Sequence, residues 1–224
     1  MQATTQQLVH IPAGRGHVEG ALEGAHHSQG LVIFAHGSGS SRHSPRNNYV
    51  ARVLRERGLA TLLVDLLTPE EDRTPALRFD IPLLTQRLLA VTDWTRRQPA
   101  TERLPLGYFG ASTGAAAALR AAAALGSVIR AVVSRGGRPD LAPPQDLARV
   151  QCPTLLLVGA RDEEVLALNR SAAAQMPGPT ALTIVPGATH LFEEPGALEA
   201  VAGSAADWFV RHLTPPGAPA SGAQ

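Results

Sequence analysis

The stretch "GYFGASTGAAAAL", residues 107–119, joins an apolar run to a block of alanines through one serine that lies between two glycines. The apolar run predicts a buried strand, and the alanine block predicts a helix that packs closely on its neighbours. Gly110-Ala111-Ser112-Thr113-Gly114 has the G-x-S-x-G spacing of a tight strand-to-helix turn, where glycines remove side chains that would clash around the serine. An isolated match also fits a glycine-rich turn that caps a helix, so the rest of the chain has to supply partners for Ser112.

Strand and helix patterns alternate on both sides of this turn. Two weakly alternating segments, 6–12 and 16–22, predict an antiparallel hairpin, and residues 68–80 predict a polar loop. Apolar runs predict strands at 30–37, 59–67, 104–112, 128–137, 153–162 and 180–190, and the continuous runs at 30–37, 59–67 and 154–158 are typical of buried strands. Helical spacing predicts helices ending near Arg57 and covering 81–97, 113–125, 163–175 and 196–213. The alternation indicates an α/β fold with a mostly parallel, doubly wound sheet and helices on both faces.

Length and composition narrow the class of protein. The 224 residues fit a single domain, expected over 1–213, and the Pro/Gly/Ala/Ser-rich stretch 214–224 is expected to be a disordered tail. The N-terminus lacks the basic start and apolar core of a signal peptide, which favours a cytoplasmic location. A net charge of +1 and 4% aromatic residues argue against nucleic-acid and membrane partners. We expect a small-molecule substrate and a monomer or homodimer.

Residue types that are missing exclude several kinds of chemistry. All 20 basic residues are arginines, so Schiff-base lysines, Ser–Lys hydrolases and a phosphate-loop lysine are excluded. The single cysteine, Cys152, excludes an internal disulfide framework and a cysteine-rich metal site. We expect no metal and no organic cofactor, since the adjacent His26-His27 has no further clustered ligands.

Partners for Ser112 follow it in the order that this kind of turn requires, serine, then acid, then histidine. His190 follows a predicted strand in "VPGATHLFEEPG", whereas His212 lies near the end of the last helix. Asp162 is the first acidic residue after the strand in "LLLVGARDEEV". The neighbouring Glu163 and Glu164 compete with it, and a helix-capping role is the alternative for all three. Asp140 and Asp146 lie one connection earlier and are weaker candidates.

The loop after the first buried strand, "AHGSGSSRH", supplies a second set of candidates. An oxyanion hole needs two backbone N–H groups, which we assign to Thr113, directly after the nucleophile, and Ser38 in this loop. A phosphate-binding glycine turn is less favoured, because the loop lacks G-x-G-x-x-G spacing and a following lysine. His36, Arg42 and Arg135 are candidate substrate-binding residues that could favour an anionic substrate. The alternative for the arginines is pairing with acidic residues of the 70–80 segment or solvation.

Four motifs together resemble the α/β-hydrolase superfamily, and within it the serine hydrolases related to dienelactone hydrolase. They are "FAHGSGSSRHSPRN", "GYFGASTGAAAAL", "VGARDEEVL" and "VPGATHLFEEPG", and the resemblance runs from about residue 6 to 213. It implies an α/β-hydrolase fold of eight strands with the second antiparallel, and a triad of Ser112, Asp162 and His190. Dienelactone hydrolases are known for a cysteine nucleophile, and this chain has Ser112 instead. Cys152, before Pro153 at the start of a strand, is expected to be structural.

We interpret the chain as a serine hydrolase that cleaves carboxylic esters through an acyl-enzyme. The connection "GGRPDLAPPQDLARVQC", residues 136–152, is too short for an inserted lid domain. A thioesterase, an amidase or an acyltransferase would use the same three residues. A non-catalytic binding protein on the same fold is the alternative from another class, because fold alone does not establish activity.

Overall fold

The computed structural model describes residues 6–14, 16–26 and 28–214 of the chain. Its eight strands form one sheet in the order β1-β2-β4-β3-β5-β6-β7-β8. The strands are β1 (Gln7–Ala13), β2 (Gly16–Glu23), β3 (Leu31–Ala35), β4 (Ala60–Val64), β5 (Leu106–Ala111), β6 (Ile129–Arg135), β7 (Thr154–Gly159) and β8 (Thr180–Val185). β2 is antiparallel to both β1 and β4, and every other pairing is parallel. The predicted doubly wound sheet with an antiparallel hairpin at one edge is therefore confirmed.

Helices cover both faces of this sheet. They are α1 (Pro45–Glu56), α2 (Pro69–Asp72), α3 (Ile81–Thr95), α4 (Thr113–Leu125), α5 (Pro144–Leu147), α6 (Glu163–Ala173) and α7 (Ala197–Leu213). Helices α1 and α7 share one apolar core with the sheet, and α3, α4 and α6 share the other. In β5, Tyr108 belongs to one core and its neighbour Phe109 to the other. Because consecutive residues face two buried layers, the strand is a continuous apolar run rather than an alternating one.

The segment between β4 and α3 differs from the predicted loop. It contains α2 and a short 3₁₀ helix, Pro75–Phe79. The Thr68 side chain accepts a hydrogen bond from the Glu71 N–H, and the Glu71 carboxylate accepts one from the Thr68 N–H. This reciprocal capping box, followed by proline at the first helical position, stabilises a single helical turn. The turn is too short to produce a periodic apolar pattern, which is why the sequence analysis missed it.

The connection from β6 to β7 contains only a 3₁₀ turn, Pro139–Leu141, and α5, so it carries no inserted lid, as predicted. In the described part of the chain, no helix is both long enough and apolar enough to cross a membrane. The predicted C-terminal tail falls on residues 214–224, of which all but Thr214 lie outside the described residues. The carboxyl ends of β3 and of β5 to β8 lie at one edge of the sheet, where the candidate site is found.

Candidate active site

Ser112 occupies the junction between β5 and α4 in a backbone conformation that serine rarely adopts. Its φ and ψ angles are 49° and −121°, and Ser112 and Phe192 are the two described non-glycine residues with positive φ. Such a conformation costs about 1–3 kcal/mol and persists only where the surrounding structure imposes it. Here the Ser112 N–H donates to the Arg135 carbonyl at 3.2 Å, and the Ser112 carbonyl accepts from the Arg138 N–H at 3.1 Å. The turn is thus held from both sides by the exit of β6.

The two glycines of the motif are required by close backbone packing at this turn. A Cβ atom on Gly110 would lie 2.5 Å from the Ala115 Cα. A Cβ atom on Gly114 would lie 2.5 Å from the His36 carbonyl oxygen and closer still to that of Ala35. Since these neighbours are backbone atoms, they cannot rotate away. The glycines therefore let α4 begin directly against the end of β3, which leaves the Ser112 side chain at the sheet edge.

His190 and Asp162 form a hydrogen-bonded pair at the same edge. The Asp162 carboxylate can only accept, so the His190 Nδ1–H donates to Asp162 Oδ2, over 2.6 Å. Asp162 is the N-cap residue of α6, but its side chain makes no capping hydrogen bond. Its carboxylate is used on His190 instead, while Glu163 and Glu164 are exposed on the first turn of the helix. The structure therefore places Asp162, of the three candidate acids, beside the histidine.

His190 lies next to the serine turn without being hydrogen-bonded to it. A Cβ atom on Gly136, which directly follows the Arg135 that holds Ser112, would lie 3.4 Å from the His190 Cε1. In the described residues, the Ser112 hydroxyl makes no hydrogen bond with His190 or with any other group. A working triad needs a His190 ring nitrogen at hydrogen-bond distance from Ser112 Oγ, and this contact is not formed here. Looser geometry is common in ligand-free hydrolases, because the contact tightens when a substrate binds.

The two expected oxyanion donors, Ser38 and Thr113, are brought into direct contact. The Ser38 N–H donates to the Thr113 Oγ1 at 2.9 Å, so it already has a partner. The Thr113 N–H is the first of α4, where N–H groups lack intrahelical acceptors. A Cβ atom on Gly37 would lie 3.0 Å from the Ser112 Cβ, which places this loop against the serine. For Ser38 to stabilise an oxyanion, its N–H would have to exchange the Thr113 hydroxyl for the oxyanion as hydrogen-bond acceptor.

His36 and Arg42 are held by contacts within the protein. The His36 Nε2 accepts from the Leu66 N–H at 3.1 Å, and its Nδ1–H donates to the Gly37 carbonyl at 2.9 Å. Both ring nitrogens are therefore engaged, and burial lowers the pKa of His36 below its ordinary value. The Arg42 guanidinium is bound by Asp65 and, at 2.6 Å, by Glu19. Arg42 thus pairs with acidic residues, although not with those of the 70–80 segment considered in the sequence analysis.

Arg135, in contrast, has no acidic partner among the described residues. Its Nη1 atom is buried and makes no hydrogen bond there. Burial and, to a smaller extent, the positive charge of Arg46 together lower the pKa of Arg135 to about 10. The side chain still carries its charge at neutral pH. A half-buried guanidinium with an unpaired nitrogen and no counter-ion among the described residues, one strand away from Ser112, is thus a candidate receptor for an anionic group.

Residues that support the His190 loop were not predicted from the sequence. Thr189 donates its N–H to Glu194 Oε1 at 3.0 Å, and this hydrogen bond lowers the pKa of Glu194. Glu193 pairs with Arg46 at 2.8 Å, which ties the loop to the start of α1. Phe192 is fully buried with a φ of 56°. The sequence signal was the acidic pair in "HLFEEPG", of which Glu194 binds within the loop and Glu193 binds Arg46, 147 positions away.

The potential metal ligands that lie together in the described structure are on the β1–β2 hairpin and do not include Ser112, Asp162 or His190. In the described part of the chain, the single cluster of three or more potential metal ligands consists of His10, His17 and Glu19 on the β1–β2 hairpin. Cys152 is buried before β7, at the opposite end of the parallel strands, and burial raises its pKa to about 11. A thiol held in that state is a poor nucleophile and a poor metal ligand at neutral pH. The chemistry of the catalytic edge is therefore carried by oxygen and nitrogen groups.

Comparison with solved structures finds the same fold in a hydrolase and in a more distant protein. Dienelactone hydrolase from Anabaena variabilis is 53% identical, with a TM-score of 0.91 over 94% of this chain and 99% of that one. Est1E from Butyrivibrio proteoclasticus is 17% identical, with a TM-score of 0.79 over 92% of this chain and 98% of that one. The second likeness is one of fold alone.

Sequence comparison finds a relative that is named for another activity. It also finds a family model that matches this chain. A Mycobacterium tuberculosis protein named as a phosphoribosyl transferase is 61% identical over 209 residues, which are 93% of this chain. The chain spans 47% of that relative's length, about half. The family model described as an alpha/beta hydrolase domain matches residues 28–207, a range that contains Ser112, Asp162 and His190. Together with the eight-stranded sheet and the dienelactone hydrolase likeness, this match shows that the chain belongs to the α/β-hydrolase family.

Proposed function

We propose that this hydrolase cleaves carboxylic esters through a Ser112–His190–Asp162 triad. The observation that carries the proposal is the backbone of Ser112, which is strained at a φ of 49° and presents an unpaired hydroxyl at the carboxyl edge of the sheet. Strain of this kind does nothing for folding, and it is a recurrent feature of residues held for catalysis. The Asp162–His190 pair at the same edge supports it, because it supplies an oriented base.

In the proposed mechanism, His190 Nε2 removes the Ser112 proton while Ser112 Oγ forms a bond to the acyl carbon. The carbonyl oxygen becomes an oxyanion that accepts hydrogen bonds from the Thr113 and Ser38 N–H groups. The ester C–O bond then breaks, and the imidazolium gives its proton to the leaving alkoxide. Asp162 holds the ring through Nδ1 and stabilises the imidazolium. A water molecule then gives a proton to His190 while its oxygen bonds to the acyl carbon. The bond between the acyl carbon and Ser112 Oγ breaks, the imidazolium returns its proton to Oγ, and the carboxylic acid is released.

The proposal extends to the substrate, whose acyl group we propose to be anionic. Arg135 has a half-buried guanidinium without an acidic partner among the described residues, and the backbone carbonyl of the same residue accepts from the Ser112 N–H. A carboxylate or phosphate on the substrate would supply the missing counter-ion. A charge-assisted hydrogen bond to such a group is worth about 1.5–3 kcal/mol. We therefore propose that Arg135 selects anionic esters over neutral ones.

Labelling with a fluorophosphonate probe tests the nucleophile. The wild type and a Ser127→Ala control, whose serine is exposed at the opposite edge of the sheet, should both be labelled, and Ser112→Ala should not. The kcat/KM for a short-chain p-nitrophenyl ester should fall by about 10⁴–10⁶-fold in Ser112→Ala, because the covalent route is lost. A folded Ser112→Ala protein with near wild-type activity would refute the triad. A wild type that is neither labelled nor active on esters would favour the non-catalytic binding protein.

A substrate panel separates esterase from the related activities. Thioesterases, amidases and acyltransferases use the same residues, so only relative rates on matched acyl groups distinguish them. We expect p-nitrophenyl esters to be turned over faster than the corresponding thioesters and anilides. A higher kcat/KM on thioesters would leave the triad in place and change the proposed substrate class.

A further inference from the structure

The outer face of the β1–β2 hairpin carries two histidines and a glutamate that the hydrolase mechanism does not use. In β1, Val9, Ile11 and Ala13 are buried, so the intervening His10 faces outward. In β2, Val18 is buried, and His17 and Glu19 on either side of it face the same way. Strand alternation thus brings the three polar side chains to one face of the hairpin.

The register of the hairpin brings these side chains together. His10 is paired directly with Glu19, and His17 lies on the diagonal because its partner is Pro12. Directly opposed residues have Cβ atoms about 4.5–5.5 Å apart, and diagonal neighbours are within reach of long side chains. In the structure, one potential ligand atom from each of the three residues lies within 4.8 Å of the others. The two imidazole rings are 5.0 Å apart between centroids, at 78° to each other.

Glu19 is already oriented for such a site. Its Oε2 pairs with the Arg42 guanidinium at 2.6 Å, while its Oε1 lies 4.0 Å from the His10 Nδ1. One carboxylate oxygen is thus fixed by Arg42, and the other points to the histidines. Asp65 binds the same guanidinium. Two carboxylates share one arginine, so the local group retains a net negative charge that favours a cation.

We propose that His10, His17 and Glu19 form a binding site for a divalent transition-metal ion of the zinc class. Two imidazoles and one carboxylate are ligands that Zn²⁺ accepts, whereas Mg²⁺ and Ca²⁺ prefer oxygen ligands alone. Ligand atoms around a tetrahedral Zn²⁺ lie roughly 3.3 Å apart, given bonds of about 2.0–2.1 Å. The exposed histidines can close that difference by side-chain rotation. Water would complete the coordination.

The bound ion would join the edge strand to the rest of the sheet. Among the described strands, β1 pairs with β2 alone, and the ligands come from both strands, with His10 on β1 and the other two on β2. A ligand that binds the folded chain and not the unfolded one stabilises the fold by mass action. The site is therefore expected to act on the stability of the hairpin, independently of ester hydrolysis at Ser112.

Calorimetric titration of the full chain with Zn²⁺, after removal of metals with a chelator, tests this site. We expect one ion bound per chain by the wild type. His10→Ala and His17→Ala should each weaken binding at least tenfold, as loss of one of three ligands predicts. His43→Ala is the matched control, since His43 is exposed but lies outside the cluster. Zinc should also raise the melting temperature of the wild type and of this control, and not that of the double variant His10→Ala/His17→Ala.

Because His10 and His17 are exposed, their replacement should leave the chain folded, which melting curves recorded without metal will verify. The proposal is overturned if the wild type binds no Zn²⁺ at millimolar concentrations. It is equally overturned if the double variant binds as tightly as the wild type, or if His43→Ala loses as much affinity as the His10 and His17 variants.

Discussion

Replacement of Arg135 by glutamine should stabilise the fold and weaken the use of anionic substrates. The Arg135 guanidinium is half-buried near Arg46 and has no acidic partner among the described residues. Glutamine keeps much of the aliphatic stem and some hydrogen-bonding capacity but removes the charge. We expect opposite effects on stability and on substrate use. The Arg135 charge destabilises the folded protein, and its proposed role is to bind the anionic group of the substrate.

The size of the stability effect follows from the lowered pKa. Burial, helped by the positive charge of Arg46, lowers the pKa of Arg135 from 12.5 to about 10, so the charged form is disfavoured in the folded state relative to the unfolded one. Both states are protonated at neutral pH, so the penalty is fully present there and is relieved only above pH 10. The difference corresponds to at most about 3 kcal/mol. Partial solvent contact and lost packing reduce the expected gain to about 1–2 kcal/mol, or roughly 2–8 °C in Tm.

The assay compares two substrates that differ in one carboxylate. The p-nitrophenyl monoester of succinate and p-nitrophenyl butyrate have acyl chains of equal length, and only the first is anionic. For Arg135→Gln, we expect kcat/KM for the succinate ester to fall by about 10–150-fold, equivalent to a charged hydrogen bond of about 1.5–3 kcal/mol. The butyrate ester should change by less than about threefold.

Arg130→Gln is the matched control, because Arg130 lies on the same strand but is exposed near the opposite edge of the sheet. It should leave both substrates and the melting temperature unchanged. Equal losses on the two esters, together with a lower Tm for Arg135→Gln, would show that Arg135 is a structural residue and would refute the reasoning.

Three further predictions follow from the site and its surroundings. Asp162→Asn should lower kcat by about 10³–10⁴-fold with little change in Tm, because His190 keeps its place but loses its orienting carboxylate; a change under tenfold would contradict the assignment. Gly114→Ala should yield no folded protein, since its Cβ would meet the backbone carbonyls at the end of β3. The control Gly203→Ala, in α7 with nothing within 4 Å, should gain about 0.5–1 kcal/mol in chemical denaturation. The pKa of His36 is lower in the folded chain than in the unfolded chain. As the pH drops below about 6.5, the unfolded chain takes up a proton before the folded chain does, so stability should fall. In denaturation at pH 7.5 and 5.5, His36→Gln should show a smaller loss than the wild type, and an equal loss would assign the acid sensitivity to other groups.

The order of strands and helices was largely available from the amino-acid pattern. Strands buried on two faces must be apolar throughout, as in "GLVIFAHG" and "PTLLLVGARD", and this pattern does not depend on tertiary contacts for its recognition. The G-x-S-x-G motif indicated the turn at Ser112 for a similar reason, because glycine is required by backbone crowding that acts within a few residues. Helix α2 was missed because one capped turn leaves no periodicity.

The sequence identified the candidate residues of the site and their order along the chain, but it did not determine which of them are in contact. Asp162, Glu163 and Glu164 are adjacent in sequence, and only the path of the loop after β8 decides which carboxylate receives the His190 Nδ1–H. The same holds for Ser38, whose N–H is used by the Thr113 hydroxyl, a contact between residues 75 positions apart. Hydrogen bonds have a short range and depend on direction, so they are determined by the packed geometry.

The two arginines Arg42 and Arg135 show which properties the sequence alone does not determine. Arg42 and Arg135 both follow or end a buried strand, and the chain offers acidic residues for each. Folding gives Arg42 two carboxylates, from β2 and from the residue after β4, and gives Arg135 none among the described residues. The hydrophobic pattern along the chain determined which strands are buried. Only their arrangement in space decided which charges are neutralised, because electrostatic pairing depends on distances between residues that are far apart in the chain.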